Sequence, residues 1–401
     1  MEGTGFTAST DRQNSSKSSK SPQLTELFLS FLRLGAMAFG GPAMVAYIGE
    51  LAVKRKKWLD RETFQTGVAL CQIIPGATAM QTAAYVGMQA RGILGAFCAF
   101  TGFGLPAFIL MVILTHLYVV AHNLAWTQAL FNGFQVMVVA LAANAAYTFG
   151  KGTLKGYGDI ILALASAILL WFGTSPFYVI FGAAIAGLIV KRKRKMADPG
   201  GGKQVSLSSS QSLVLFLSLA GGMAVLFLVR RDLFQLALLM MKIDLFAFGG
   251  GFASVPLMLQ EVVNVHGWMD SKVFMDGIAL GQITPGPIVI TSTFVGYLLY
   301  GLPGALVASV AIFTPSFFLV IIGAVFFDRV DRSAYFERVV RGILASFVGL
   351  LLYITVKFSF AIPWDIVRII LVCAIFSALL KKVNTLYIVS AAALLGILLF
   401  R

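Results

Sequence analysis

The chain has 401 residues, 58% of them hydrophobic and 12% charged, with a net charge of +14. So apolar a composition excludes an ordinary soluble domain, and apolar runs following one another from Leu24 to Phe400 predict an all-α polytopic membrane protein. A β-barrel would need strands of about ten residues with alternating polarity, a pattern missing here, and the positive charge sits in short basic runs that fit cytoplasmic anchors better than a nucleic-acid surface.

Residues 1–22 are polar and carry Ser15-Ser16-Lys17-Ser18-Ser19-Lys20. Without an apolar signal region they read as a disordered cytoplasmic tail rather than a cleaved leader. A first repeat follows over 23–190. Its first apolar stretch, Leu24 to Val53, is broken at Phe39-Gly40-Gly41-Pro42, and its second, Glu62 to Ala90, at Gln72-Ile73-Ile74-Pro75-Gly76. Proline removes a backbone donor and glycine loosens the chain, so a helix should end at each break and another begin after it. Each arm is about 16 to 25 Å long as helix, short of a hydrocarbon core of about 30 Å. Spans are expected at 93–119, 126–149, 158–172 and 176–190. A basic, Gly/Ser-rich linker over 191–210 and an extra span at 211–229 lead into a second repeat over 233–401. That repeat has broken stretches at 233–262 and 273–300, then spans at 302–327, 342–358, 364–380 and 384–400, for about nine full spans in all.

The two halves are copies. Phe39-Gly40-Gly41-Pro42 matches Phe248-Gly249-Gly250-Gly251, Trp58-Leu59-Asp60 matches Trp268-Met269-Asp270, and Gln72 to Gly76 matches Gln282-Ile283-Thr284-Pro285-Gly286. Val86-Gly87, Pro106 and Gly133 recur as Val295-Gly296, Pro315 and Gly342; the offset is 209, or 210 between Trp58 and Gly76. Seven apolar segments separate the two starts, so the second copy is inverted, as in many transporters. Lys54 to Lys57 would face outward if Leu24 to Val53 crossed the membrane. The positive-inside rule therefore favours re-entrant hairpins for the broken stretches, with the N-terminus cytoplasmic.

Broken backbone in lipid is tolerated only where it is buried in protein or lines a cavity. Helices restarting at Pro75-Gly76 and Pro285-Gly286 would offer free backbone donors and positive dipole ends, an arrangement suited to anions. Gly40, Gly41, Gly249 and Gly250 flank that region, and Gln72, Thr78, Gln282 and Thr284 add hydrogen-bonding side chains. Kinked helices packed through small residues are the plainer alternative. Arg33 and Lys242 are equivalent in the two copies, and a cation at that depth is a candidate for anion binding or for snorkelling to an interface. Glu50, Asp244 and Glu261 are the carboxylates placed to neutralise them or to carry protons. Asp60 and Asp270 read as helix N-caps.

These motifs, the inverted duplication and the length together resemble the chromate ion transporter family in its long two-domain form, over roughly residues 24–400. The resemblance implies a protein of the inner membrane that exports chromate, confers resistance and draws on the proton-motive force. Gly251 stands where the first copy has Pro42, so the halves need not contribute equally. Sulfate, a tetrahedral dianion of similar shape, remains an alternative substrate. The expected partners are an oxyanion, protons as coupling ion, the lipid bilayer and a second copy in a homodimer; no nucleic acid and no cofactor are expected. An anion channel is the nearest competing reading. A membrane-embedded enzyme acting on lipid is the more distant one, because no metal-ligand pair or acid/base pair stands out. Cys71, Cys98 and Cys373 lie in apolar segments and suggest no disulfide framework.

Overall fold

The computed structural model describes residues 22–39, 42–189, 209–330 and 334–400. The polar tail, most of the linker, and both Gly40 and Gly41 lie outside the described residues. The first half contains α1 (Leu24–Met37), α2 (Pro42–Gly49) running into a π-helical turn (Glu50–Arg55), α3 (Arg61–Ile73), α4 (Thr78–Ala121), α5 (Ala125–Thr153), α6 (Tyr157–Trp171) and α7 (Pro176–Ile189). After α8 (Ser209–Val229) the same order returns. It runs through α9 (Arg231–Phe246), α10 (Gly251–Met258) with its π-helical turn (Leu259–Val265), α11 (Ser271–Ile283), a 3-10 turn (Ile288–Ile290) leading into α12 (Thr291–Val330), α13 (Ala334–Ala361), α14 (Ile366–Leu380) and α15 (Thr385–Leu399). No strand occurs among the described residues.

Local sequence explains the boundaries. Asp60 and Asp270 cap α3 and α11, each accepting a 2.8 Å bond from the amide three residues on. That bond, from Thr63, holds the Asp60 carboxyl below its ordinary range. α3 stops before Pro75 and α11 before Pro285. α4 is not one rod. Arg91 and Gly92 leave helical geometry, Gly92 at φ +65°, and a methyl on Gly87 would strike the carbonyl of Gly95. Residues eight apart in a straight helix are about 12 Å apart, so 78–90 and 93–121 are antiparallel arms. α12 does the same at Gly301, where Gly296 meets Gly304. Gly67 against Tyr85 and Gly277 against Phe294 close the preceding hairpins. The ends of the first broken stretch also meet, because Lys56 Nζ lies 2.8 Å from Glu26 Oε1.

The halves interlock. α4 packs on α12 and α5 on α13; α6 and α7 lie against α13, and their equivalents α14 and α15 against α5. The crossings are made by glycine: Gly342 abuts Ala183 and Gly187, and Gly133 abuts the matching Ala392 and Gly396. Lipid gives helices no hydrophobic reason to associate, so close backbone approach at small residues supplies much of the attraction.

Among the described residues, four helical segments are long and apolar enough to cross a membrane: Thr78–Ala121, Ala125–Thr153, Ile288–Ala324 and Tyr335–Ala361. The segments expected as spans are helical over most of their described residues, but α6, α7, α14 and α15 have only 14 or 15 residues. At roughly 22 Å each, they fall short of a full core. The protein is an all-helical polytopic membrane protein.

Candidate functional site

Gly76 donates its N–H to the carbonyl of Ala247 at 2.9 Å, and Gly286 donates to the carbonyl of Ala38, also at 2.9 Å. Ala38 and Ala247 end the first arms of the two halves, just before the glycine runs. Each Pro-Gly break is thus bonded to the other half's glycine break, and the two bonds are reciprocal. Both glycines sit in the left-handed region, at φ +112° and +113°, which only glycine enters readily. Pro75 and Pro285 are buried beside them.

Around this crossing lies a cavity of about 640 Å³. Gln72, Ala77, Thr78 and Ala79 reach it from the first half, and Gly249, Gly250, Gln282, Thr284, Gly286 and Pro287 from the second. Phe39, Phe64 and Phe252 add aromatic wall, and among the described residues no charged side chain lines it. Its polarity comes from amides, hydroxyls and the starts of α4 and α10, whose first-turn N–H groups have no partner inside the helix. Such ends carry partial positive charge and suit anions. The amides expected to serve at Gly76 and Gly286 are already engaged, which leaves that role to Thr78 and Ala79. The Thr284 hydroxyl donates to Leu280 O at 2.8 Å and therefore offers the cavity an acceptor, not a donor. A methyl at Gly250 would meet only Thr78 Oγ1, at 3.5 Å.

The charged residues singled out from sequence stand apart from this cavity. Arg33 is exposed and borders a second cavity of about 380 Å³ with Tyr47, Glu50, Arg55 and Lys56. Glu50 is bound to Arg55 at 2.7 Å. Lys242 pairs with Glu261 at 2.9 Å and lies 3.8 Å from the centre of the Phe177 ring. Sequence equivalence therefore gave Arg33 and Lys242 no common environment. Asp244 is fully buried and accepts bonds from the backbone N–H and the hydroxyl of Ser316. Sequence reading missed Ser316 and also Asp276. Asp276 is buried and accepts bonds from Tyr118 Oη at 3.0 Å and Gln135 Nε2 at 2.9 Å. The cap at Asp270 was the available signal, since it sets Asp276 in the second turn of α11 among apolar residues. Among the described residues no group of three His, Cys, Asp or Glu side chains is placed to hold a metal ion.

The profile of the chromate transporter family matches this chain twice, over residues 25–188 and 234–397. The chain belongs to the chromate transporter family. It is 42% identical over 396 residues to an uncharacterised transporter of Methanocaldococcus jannaschii, covering 97% of this chain and 98% of that one. It is 34% identical over 330 residues to a probable chromate transport protein of Synechococcus elongatus, covering 81% and 82%. It is 32% identical over 386 residues to a chromate transport protein of Cupriavidus metallidurans, covering 94% and 93%. No solved structure matches the chain.

Proposed function

We propose that this protein is a secondary transporter that exports chromate across the inner membrane and so confers resistance, with sulfate as the nearest alternative substrate. The observation that carries the reading is the cavity, with no charged side chain among its described lining, where the two Pro-Gly breaks meet Phe39 and the Gly249-Gly250 break. A tetrahedral oxyanion there would be held by helix-start amides from α4 and α10, with Gln72, Gln282 and Thr78 on its oxygens. Without a fixed cation the anion is bound by dipoles alone, and it can leave as readily as it enters. Arg33, on the rim of the second cavity, is assigned to capture of the anion before it reaches the breaks. Lys242, its counterpart in sequence, is held by Glu261 and Phe177 and is assigned only a secondary part in capture.

The broken stretches are read as re-entrant hairpins, with the N-terminus and Lys54 to Lys57 in the cytoplasm. Two contacts support this. Glu26 reaches Lys56, which a stretch crossing the bilayer would separate by about 30 Å. Tyr118, near the end of α4, reaches Asp276, near the start of α11; both ends then face outside. Export of a dianion from a cell negative inside is favoured by about 4.6 kcal/mol per 100 mV, so the potential alone suffices to drive it. Of the carboxylates expected to carry a proton, Glu50 and Glu261 are ion-paired, which leaves Asp244.

Everted membrane vesicles test the reading. Labelled chromate should accumulate when a potential positive inside the vesicle is imposed, and unlabelled sulfate should compete if it shares the site. Arg33→Gln should raise the half-saturating chromate concentration several-fold. Chromate entry indifferent to the protein's presence would end the proposal.

A further inference from the structure

We propose that Asp244 is a proton site linked to the oxyanion cavity, such that one proton and one oxyanion are bound together and released together. This rests on the cavity being the oxyanion site and adds which ion accompanies it and with what sign.

The geometry is a short relay. Asp244 Oδ2 accepts the Ser316 N–H at 2.8 Å, and the Ser316 hydroxyl donates to Asp244, 2.7 Å from Oδ2 and 2.9 Å from Oδ1. Ser316 Oγ in turn accepts the Ala77 N–H at 3.3 Å, and Ala77 lines the cavity. Only Gly76 intervenes: a methyl there would be 3.0 Å from Asp244 Oδ1. Among the described residues Asp244 has no counter-charge. α9 packs chiefly on α8, α10 and α12, and Phe177 of α7, which carries no charged residue, and Glu261 of the second π-helical turn also reach it. α8 and α10 contain no charged residue, and Asp328 and Arg329 of α12 lie at its far end. On α9 itself, Lys242 is committed to Glu261 and Phe177. Gln81, beside the break, donates to Pro75 O.

A buried carboxylate without a cation is costly when ionised. An oxyanion at Ala77 to Ala79 adds a second negative charge on the other face of Gly76. A nearby like charge favours the protonated acid. Anion binding therefore draws a proton onto Asp244, and by reciprocity the proton strengthens anion binding by the same factor. Protonation also reverses the relay, with the Asp244 O–H donating to Ser316 Oγ. The proton comes from the water that reaches the cavity and leaves with the anion. The first half has Gly35 and Ala107 at the equivalent positions, and among the described residues a methyl on Gly286 would find only the Ala107 methyl, at 3.0 Å. The two-fold arrangement is thus broken here, which gives one such proton per chain. A dianion then moves with a net single negative charge, which halves the electrical drive of the bare dianion but keeps its sign in favour of export.

The test is proton uptake on binding. Purified full-length protein in weak buffer, on the alkaline side of neutrality where chromate is itself a dianion, is titrated with chromate and again with sulfate while a pH-sensitive dye is followed. The wild type should take up close to one proton per anion, and its affinity should fall toward tenfold per pH unit. Asp244→Asn should bind without proton uptake and with affinity flat in pH. Ser316→Ala, which places in the second half the residue the first half carries at Ala107, removes a donor to the charged carboxylate. It should keep the uptake but move its midpoint to higher pH. Wild-type binding with no uptake, or with proton release, overturns the linkage, as does full uptake by Asp244→Asn or an unmoved midpoint in Ser316→Ala. Failure of the wild type to bind either anion at any pH overturns instead the reading of the cavity.

Discussion

Gly76 and Gly286 share one backbone conformation but not one environment. For any other residue the left-handed region costs about 1–2 kcal/mol, so an alanine at either position should destabilise the protein. Their neighbours then separate them. A methyl at Gly76 would collide with Ser316 Oγ and press on Asp244, whereas one at Gly286 would touch the Ala107 methyl at 3.0 Å, a contact a small shift relieves. Gly76→Ala should therefore lower the thermal stability of the detergent-solubilised protein more than Gly286→Ala does, by roughly another 1–3 kcal/mol. Valine at either position should abolish chromate uptake into vesicles. Equal losses for the two alanine variants would show that Ser316 and Asp244 yield freely and are not a fixed wall of the site.

At the scale of elements, the breaks and caps were legible because each is written in a few adjacent residues. Pro75, Pro285, Asp60 and Asp270 end or start helices where local chemistry requires it. Lateral packing was not legible in the same way. Nothing near Gly76 in sequence announces that its amide is bonded to Ala247, and a common offset could not reveal that Arg33 borders open space while Lys242 is paired. Asp276 was missed because a carboxylate close to a helix start looks like surface until neighbouring helices bring Gln135 and Tyr118 to it. The hairpins themselves make a prediction. In a background with Cys71, Cys98 and Cys373 replaced, single cysteines at Lys56 and Ser271 would be probed with an impermeant thiol reagent on intact cells. Position 271 should label and position 56 should not; the reverse pattern would mean that the broken stretches cross.

At the scale of the whole molecule, the halves exchange their last helices. The α13 crossing at Gly342 and the α5 crossing at Gly133 are the same contact made twice, with Gly187 and Gly396 as partners. Gly342→Val and Gly133→Val should therefore destabilise the protein to a similar degree, each by about 1–3 kcal/mol through overpacking. Thermal unfolding of both variants checks this, and a loss confined to one would deny that the crossings are equivalent. The exchange also bears on how the protein is made. Chains are synthesised from the N-terminus at about 5–20 residues per second. The Ala183–Gly187 seam of α7 enters the bilayer before α13, the helix that covers it, exists. For several seconds the first half is a set of inserted helices with its closing surface turned to lipid. It stays unfinished until the second half arrives, so a ribosome that stops early leaves behind a fragment open to membrane quality control rather than half a transporter.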